Sequence, residues 1–368
     1  MVTPKEENVT GVPTPPLQEL REAESAKWPQ EPSPVFALIE PTDVCNLACP
    51  MCSREEVLKK SGKAPSSLGL ESLEHIARHI PTLKEIKFHG LGEPFLTRNA
   101  PKIFSRLKEL WPGVHVVTIT NVTWPDFVDV QAILRSVDHV YVSIDGHDRE
   151  TFETYRLKGK FDRMVHNVRR IMREKPDSTK VSVNCCFTKE TYRNLYQMVI
   201  LTRALGVDTI RFNLVQNWIP EVDEEKAEKH DEIRAKLLHH IDLDDLVESV
   251  RYMKRIAEML GVSADIVGNP DFEPKTCNWS TKMTYVTVAG EVLPCCMRCD
   301  TKYSFGNVFK TPFEAIWKGS ELNRFREQLR SDNPPKICKD CPYLLNAKIL
   351  RYINERVAAT KSDFLMHI

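Results

Sequence analysis

Residues 35–55 read "VFALIEPTDVCNLACPMCSRE". The first six residues are a short, mostly apolar run, which predicts a buried strand. The remainder is a loop that carries Cys45, Cys49 and Cys52 in C-x3-C-x2-C spacing. A closed zinc site takes four ligands, and the nearest histidines, His75 and His79, lie on a helical pattern two elements further on. Three thiolates on a four-iron cluster instead leave one iron open to a substrate or cofactor. Zinc completed by a remote ligand is the competing reading.

Working outward, strand and helix patterns alternate. Strands are expected at "EIKFHG" (85–90), "HVVTIT" (115–120), "HVYVSID" (139–145), "KVSVNCCF" (180–187) and "TIRFNLV" (209–215). Helical spacing intervenes, as in "LESLEHIARHI" (70–80), where Leu70, Leu73, Ile76, Ala77 and Ile80 share a face. Serial βα units imply a parallel sheet. The expected fold class is α/β: a partial (β/α)6 barrel of TIM type, with an open doubly wound sheet as the alternative. Functional groups of such barrels gather at the C-terminal strand ends, where the three-cysteine loop falls. Ser182, Asn184 and Cys186 alternate with Val181, Val183 and Cys185, and Tyr141, Ser143 and Asp145 with Val140, Val142 and Ile144. One polar face per strand suits a lumen that holds a polar ligand.

The chain has 368 residues, with 51 Lys+Arg against 51 Asp+Glu. This balance argues against a nucleic-acid or anionic-membrane partner. No apolar run reaches the roughly 18 residues of a membrane span. Residues 1–33 are polar and proline-rich, without a signal-peptide core, and read as a flexible extension; a cytoplasmic location is the default. The barrel is expected over 34–268, with a charged stretch at 221–260. A smaller unit over 269–345 opens with a hairpin turning at Ala289-Gly290 and continues with "PFEAIWKGSELNRFREQLR", a helix broken at Gly319. Residues 346–368 read as a terminal helix or tail. Eleven cysteines without a secretion signal favour ligation over disulfides. Cys277, Cys295, Cys338 and Cys341 form a second group, and Cys296 and Cys299 beside Cys295 keep its membership open.

The cysteine loop after the first strand, "HGLGEPFL" after the second, "SIDG" ending the fourth and the arginine of "ETFETYR" together resemble the radical S-adenosylmethionine (SAM) superfamily. The resemblance runs from 35 to 345. It implies a 4Fe–4S cluster on Cys45, Cys49 and Cys52, with SAM on the open iron. It implies that Gly90, Gly92 and Glu93 meet the SAM ammonium, with Leu91 in place of the first glycine of the family's core motif. Ser143 and Asp145 would bind the ribose, Arg156 the SAM carboxylate, Asn184 the ribose edge and Met51 the adenine. The second cysteine group is similar to SPASM and twitch domains, nearest to enzymes of the 2-deoxy-scyllo-inosamine dehydrogenase type. That likeness implies an auxiliary 4Fe–4S cluster on Cys277, Cys295, Cys338 and Cys341, hence two clusters in all.

The expected reaction is reductive SAM cleavage to a 5′-deoxyadenosyl radical that abstracts hydrogen from a small polar metabolite, an aminocyclitol or sugar. Dehydrogenation through the auxiliary cluster and epimerisation through a thiol donor both stay open, with Cys186, Cys296 and Cys299 as candidate donors. A flavodoxin- or ferredoxin-type protein is the expected electron donor. A peptide or protein side-chain maturase is the enzymatic alternative. A non-catalytic iron–sulfur or zinc protein is the alternative outside enzymes.

Overall fold

The computed structural model describes residues 33–215, 241–339 and 341–365. The expected N-terminal extension and the first part of the charged stretch lie outside them. Nine strands form one sheet: β1 (Phe36–Ile39), β2 (Glu85–Phe88), β3 (His115–Thr120), β4 (His139–Ser143), β5 (Lys180–Phe187), β6 (Thr209–Leu214), β7 (Ser263–Ile266), β8 (Met283–Val286) and β9 (Val292–Leu293). Their spatial order is β7-β6-β5-β4-β3-β2-β1-β8-β9, so the sheet curves without closing. All pairings are parallel except β8 with β9.

Two features go beyond the expectation. The short strand β7 extends the sheet past β6, and its sequence "SADI" is too short and too polar to announce itself. The C-terminal hairpin is not apart from the barrel: β8 pairs with the free edge of β1, setting Phe36 opposite Met283 and Ile39 opposite Val286.

The alternating strand pattern sorts side chains as read. Ile86, Phe88, Val140, Val142, Val183, Ile210 and Phe212 are buried among the surrounding helices. Each such side chain contributes roughly 1.5–3 kcal/mol of burial. The helix Leu243–Leu260 has its ends written in sequence. The Asp242 carboxylate accepts from the backbone N–H of Asp244 (2.9 Å), and Gly261 closes the helix at φ 64°. The break at Gly319 separates helices Phe313–Trp317 and Ser320–Arg330.

Glu40, just past β1, joins three parts of the chain. Its Oε1 accepts from Leu91 N (2.7 Å) after β2, and its Oε2 accepts from Val288 N (3.1 Å) after β8. Burial pushes its pKa up from 4.5 to about 7, against the pull of these donors. The folded state therefore binds the proton more tightly than the unfolded chain. Stability from this group is full below about pH 4.5 and falls as pH rises towards 7, by up to about 3 kcal/mol. Glu40→Gln, uncharged and nearly isosteric, removes this fall. Chemical unfolding at pH 5 and pH 8 checks it: the loss between the two is smaller in the variant.

Candidate active site

The three-cysteine loop is built on backbone contacts from two neighbouring strand ends. Gly92 N donates to Thr42 O (3.1 Å), and Glu93 N donates to Val44 O (2.8 Å). A Cβ at Gly92 would collide with the carbonyls of Thr42 and Val44, and one at Gly90 with the Glu40 side chain. The glycines thus serve the packing of one strand end on another. From the far side, Ala48 N donates to Leu157 O (3.1 Å), next to Arg156.

Glu93 is 2% exposed. Its Oε1 accepts from Thr120 Oγ1 (2.6 Å) and Phe95 N (3.2 Å), and its Oε2 from Asn121 N (2.6 Å). Burial pushes its carboxyl up to about 7. These contacts make Glu93 a clasp on the end of β3. Asn121 carries that clasp to the cysteines: its Nδ2 donates to Asn46 Oδ1 (2.8 Å) and lies 3.7 Å from Cys45 Sγ. Asn46 in turn donates to Thr123 O (3.1 Å). The next residue, Val122, is fully buried at φ 53°, a left-handed conformation that a β-branched side chain resists.

Asp145 and Arg156 are each expected to meet a different part of SAM, and the structure adds a contact between them. They are bound to each other: Arg156 Nη2 lies 2.6 Å from Asp145 Oδ2, and Asp145 Oδ1 accepts from Cys186 N (2.8 Å). One oxygen on Arg156 and the other on Cys186 N make Asp145 a positioning residue for Arg156. Burial alone would lower the pKa of Arg156, but Asp145 and the adjacent Cys49 outweigh it and push it up. Its Nε is enclosed without a partner among the described residues. An enclosed, unpaired guanidinium N–H beside Cys49 fits an incoming carboxylate.

Ser143 and Asn184 are neighbours across β4 and β5, on the polar face. Asn184 Oδ1 accepts from Arg211 Nε (2.5 Å) and Asn213 Nδ2 (2.9 Å), which leaves its amide nitrogen for a ligand. Met51 is half-buried within the loop between Cys49 and Cys52. Burial pushes the Cys186 thiol up to about 12 and the Cys296 thiol up to about 11, so both stay protonated near neutrality. Cys296 lies 3.9 Å from Tyr343 Oη, and Cys299 Sγ donates to Cys296 O (3.3 Å). Both pack on Leu38, Tyr285 and Leu293 at the edge of the lumen.

Cys277, Cys295, Cys338 and Cys341 line one cavity, walled by Trp279, Pro294, Phe325, Leu329 and Ile337. Cys296 and Cys299 do not line it, which favours Cys295 among the adjacent candidates. Arg298, 2% exposed, also lines the cavity and brings positive charge beside Cys338 and Cys341. Four thiols and a cation in an apolar chamber fit an anionic four-thiolate cluster.

Reading the sequence missed Asn46, Asn121 and Glu40. Asn121 had a signal, as a polar residue just past the C-terminal end of a barrel strand. Asn46 and Glu40 had none, because their partners lie on other strands.

Comparison with known proteins agrees with this geometry. The radical SAM superfamily model matches residues 39–200, and the SPASM iron–sulfur cluster-binding domain matches residues 277–342. The tungsten-containing aldehyde ferredoxin oxidoreductase cofactor-modifying protein of Pyrococcus furiosus is 26% identical over 83% of this chain and 86% of its own. A PqqA peptide cyclase of Xanthomonas axonopodis pv. citri is 24% identical over 84% of this chain and 81% of its own. Among solved structures, native anSMEcpe with bound AdoMet and Cp18Cys peptide superposes with TM-score 0.62 at 16% identity, covering 90% of this chain and 99% of that one. The chain is a radical SAM enzyme. More narrowly, it is one that carries an appended SPASM domain, and its cofactors are SAM and 4Fe–4S clusters.

Hydrogen bonds to ligating sulfur raise a cluster's potential. Asn121→Ala removes the amide beside Cys45 and the tie to Asn46. The first cluster is expected to shift to a more negative midpoint potential and to lose iron faster to a chelator. An EPR-monitored redox titration and a bleaching time course read these two effects.

Proposed function

We propose that this enzyme uses SAM-derived radical chemistry on a peptide or protein side chain. The observation that carries this reading is the pairing of two cysteine sites on one sheet: the three-cysteine loop at the end of β1, and the four-cysteine chamber beside the hairpin that pairs with β1. The substrate class is supported by the relatives: one is named a peptide cyclase, and one matching structure holds a peptide beside AdoMet. No such support reaches the aminocyclitol or sugar expected from sequence, and the peptide reading replaces it.

In this reading Cys45, Cys49 and Cys52 hold the first cluster, and Cys277, Cys295, Cys338 and Cys341 hold the auxiliary one. The cluster and SAM, when bound, supply a hydrogen-abstracting radical. The chain's own residues position and enclose. Arg156, locked by Asp145, offers Nε to the SAM carboxylate. The backbone of Gly90, Leu91 and Gly92, held by Glu40 and Thr42, forms the floor at the ammonium. Ser143 and the Asn184 amide face the ribose, and Met51 covers the adenine side. Cys186, Cys296 and Cys299 remain thiols able to return a hydrogen atom. A small ferredoxin- or flavodoxin-type protein delivers the electron.

Anaerobic reconstitution, then SAM and dithionite, tests the reading by mass spectrometry of 5′-deoxyadenosine. Wild type is expected to hold about eight irons per chain and to cleave SAM. Cys45→Ala abolishes cleavage. Cys277→Ala lowers iron towards about four per chain yet keeps SAM cleavage. Cleavage by the Cys45 variant, or a fully clustered wild type that yields no 5′-deoxyadenosine with peptide present, overturns the reading.

A further inference from the structure

The lumen face carries two cations without an ion-pair partner among the described residues. Lys87 and His89 project from and just beyond β2 on the face opposite Ile86 and Phe88, and Arg211 projects from β6 on the face opposite Ile210 and Phe212. Arg211 lies with its guanidinium carbon 3.4 Å from the centroid of the Tyr141 ring and donates Nε to Asn184. The Lys87 ammonium stands 5.1 Å from the centroid of Phe36. Neither cation has a carboxylate partner among the described residues, and Lys87 has no hydrogen-bond partner there either.

Two of the described carboxylates at the strand ends are committed elsewhere. Glu40 is held by Leu91 N and Val288 N, and Asp145 by Arg156 and Cys186 N. Glu85, on the same face as Lys87, acts on it only weakly beside the effect of burial. Burial lowers the pKa of Lys87 and of Arg211, and the two cations oppose each other. His89 sits between their fields. Burial and both cations push its pKa down to about 3, so its ring is neutral, and its Nε2 is enclosed without a partner among the described residues. Two half-buried cations of like sign and a ring nitrogen without a partner, on the lumen face of one sheet, make an incomplete site among the described residues. An anionic oxygen group completes it, by pairing with both charges and taking a hydrogen bond from His89 in its Nε2–H tautomer.

We propose that Lys87, Arg211 and His89 form a clamp for an anionic oxygen group of the substrate, a carboxylate of the peptide. The proposal rests on the peptide reading above and deepens it to peptides with an acidic side chain or free C-terminus near the reacting carbon. The place is consistent with that task. Arg211 touches Asn184 on the side of the SAM-facing residues, and Lys87 lies near Cys296 on the side of the auxiliary chamber. The competing occupant is the auxiliary cluster's own negative charge, although Phe36 and Trp279, edge to face at 6.2 Å, stand between Lys87 and that chamber.

The test uses the reconstituted, SAM-loaded holoenzyme and anaerobic calorimetry with three probes: acetyl-Ala-Glu-Ala-amide, its Gln counterpart, and inorganic phosphate. Wild type is expected to bind the Glu peptide about tenfold more tightly than the Gln peptide. Lys87→Met should erase that preference and Lys87→Arg should keep it, which separates lost charge from lost fold. SAM binding by wild type is titrated separately. A wild type that binds SAM but shows no Lys87-dependent anion binding overturns the clamp and leaves the proposed function standing. A wild type that fails to bind SAM overturns the proposed function instead. Lys87-dependent binding of phosphate without the Glu peptide upholds the anion clamp and overturns the carboxylate as its occupant.

Discussion

Everything in this molecule depends on β1 being paired on both edges. Leu38 stands between Lys87 of β2 and Tyr285 of β8, and Ile39 between Phe88 and Val286. This four-residue strand fixes the start of the cysteine loop, the height of Glu40 and the docking of the auxiliary hairpin. The register is fixed, because a shift by one residue would exchange Ala37 and Ile39, in the main core, with Leu38, which packs on Tyr285 and Leu293 on the other face. The geometry between the two cysteine sites is therefore set by backbone hydrogen bonds, not by a linker.

The strands and most helices were legible because their signals are local. Alternation in "VSVNCCF" sorted Asn184 and Cys186 from Val183 and Cys185, and the structure keeps that division. The cysteines were legible through spacing. The partners of the charged groups were not. Asp145 and Arg156 both carried a family expectation of touching SAM, and nothing in their spacing says that they bind each other. The same holds for Glu93 with Thr120 and Asn121, and for Glu40 with Val288. Such contacts join residues far apart in sequence, and a strand-end carboxylate looks alike whether it faces ligand or neighbour. The edge pairing of β8 was hidden for a related reason, since the hairpin pattern says nothing about which strand it will meet.

The charged groups divide into two populations. At the C-terminal rim, Glu40, Glu93, Asp145 and Arg156 are buried or nearly so and meet defined partners, which makes the rim a rigid frame. In the lumen, Lys87 and Arg211 are half-buried and lack opposite charge among the described residues. Desolvated charge without a partner is costly, and folded proteins retain it where something else supplies the counter-charge. In the proposed reading, this contrast separates the part of the barrel that holds the cofactors from the part that meets the substrate.

The bond from Val288 to Glu40 spans 248 positions of the chain. During synthesis β1 emerges early, and its outer edge has no partner until β8 follows. Until then that edge is an open template for another strand, the hazard of slow, non-local sheets. The auxiliary hairpin is thus also the piece that ends the exposure. Damage to it is expected to appear first as aggregation of the nascent enzyme, before any question of electron transfer arises.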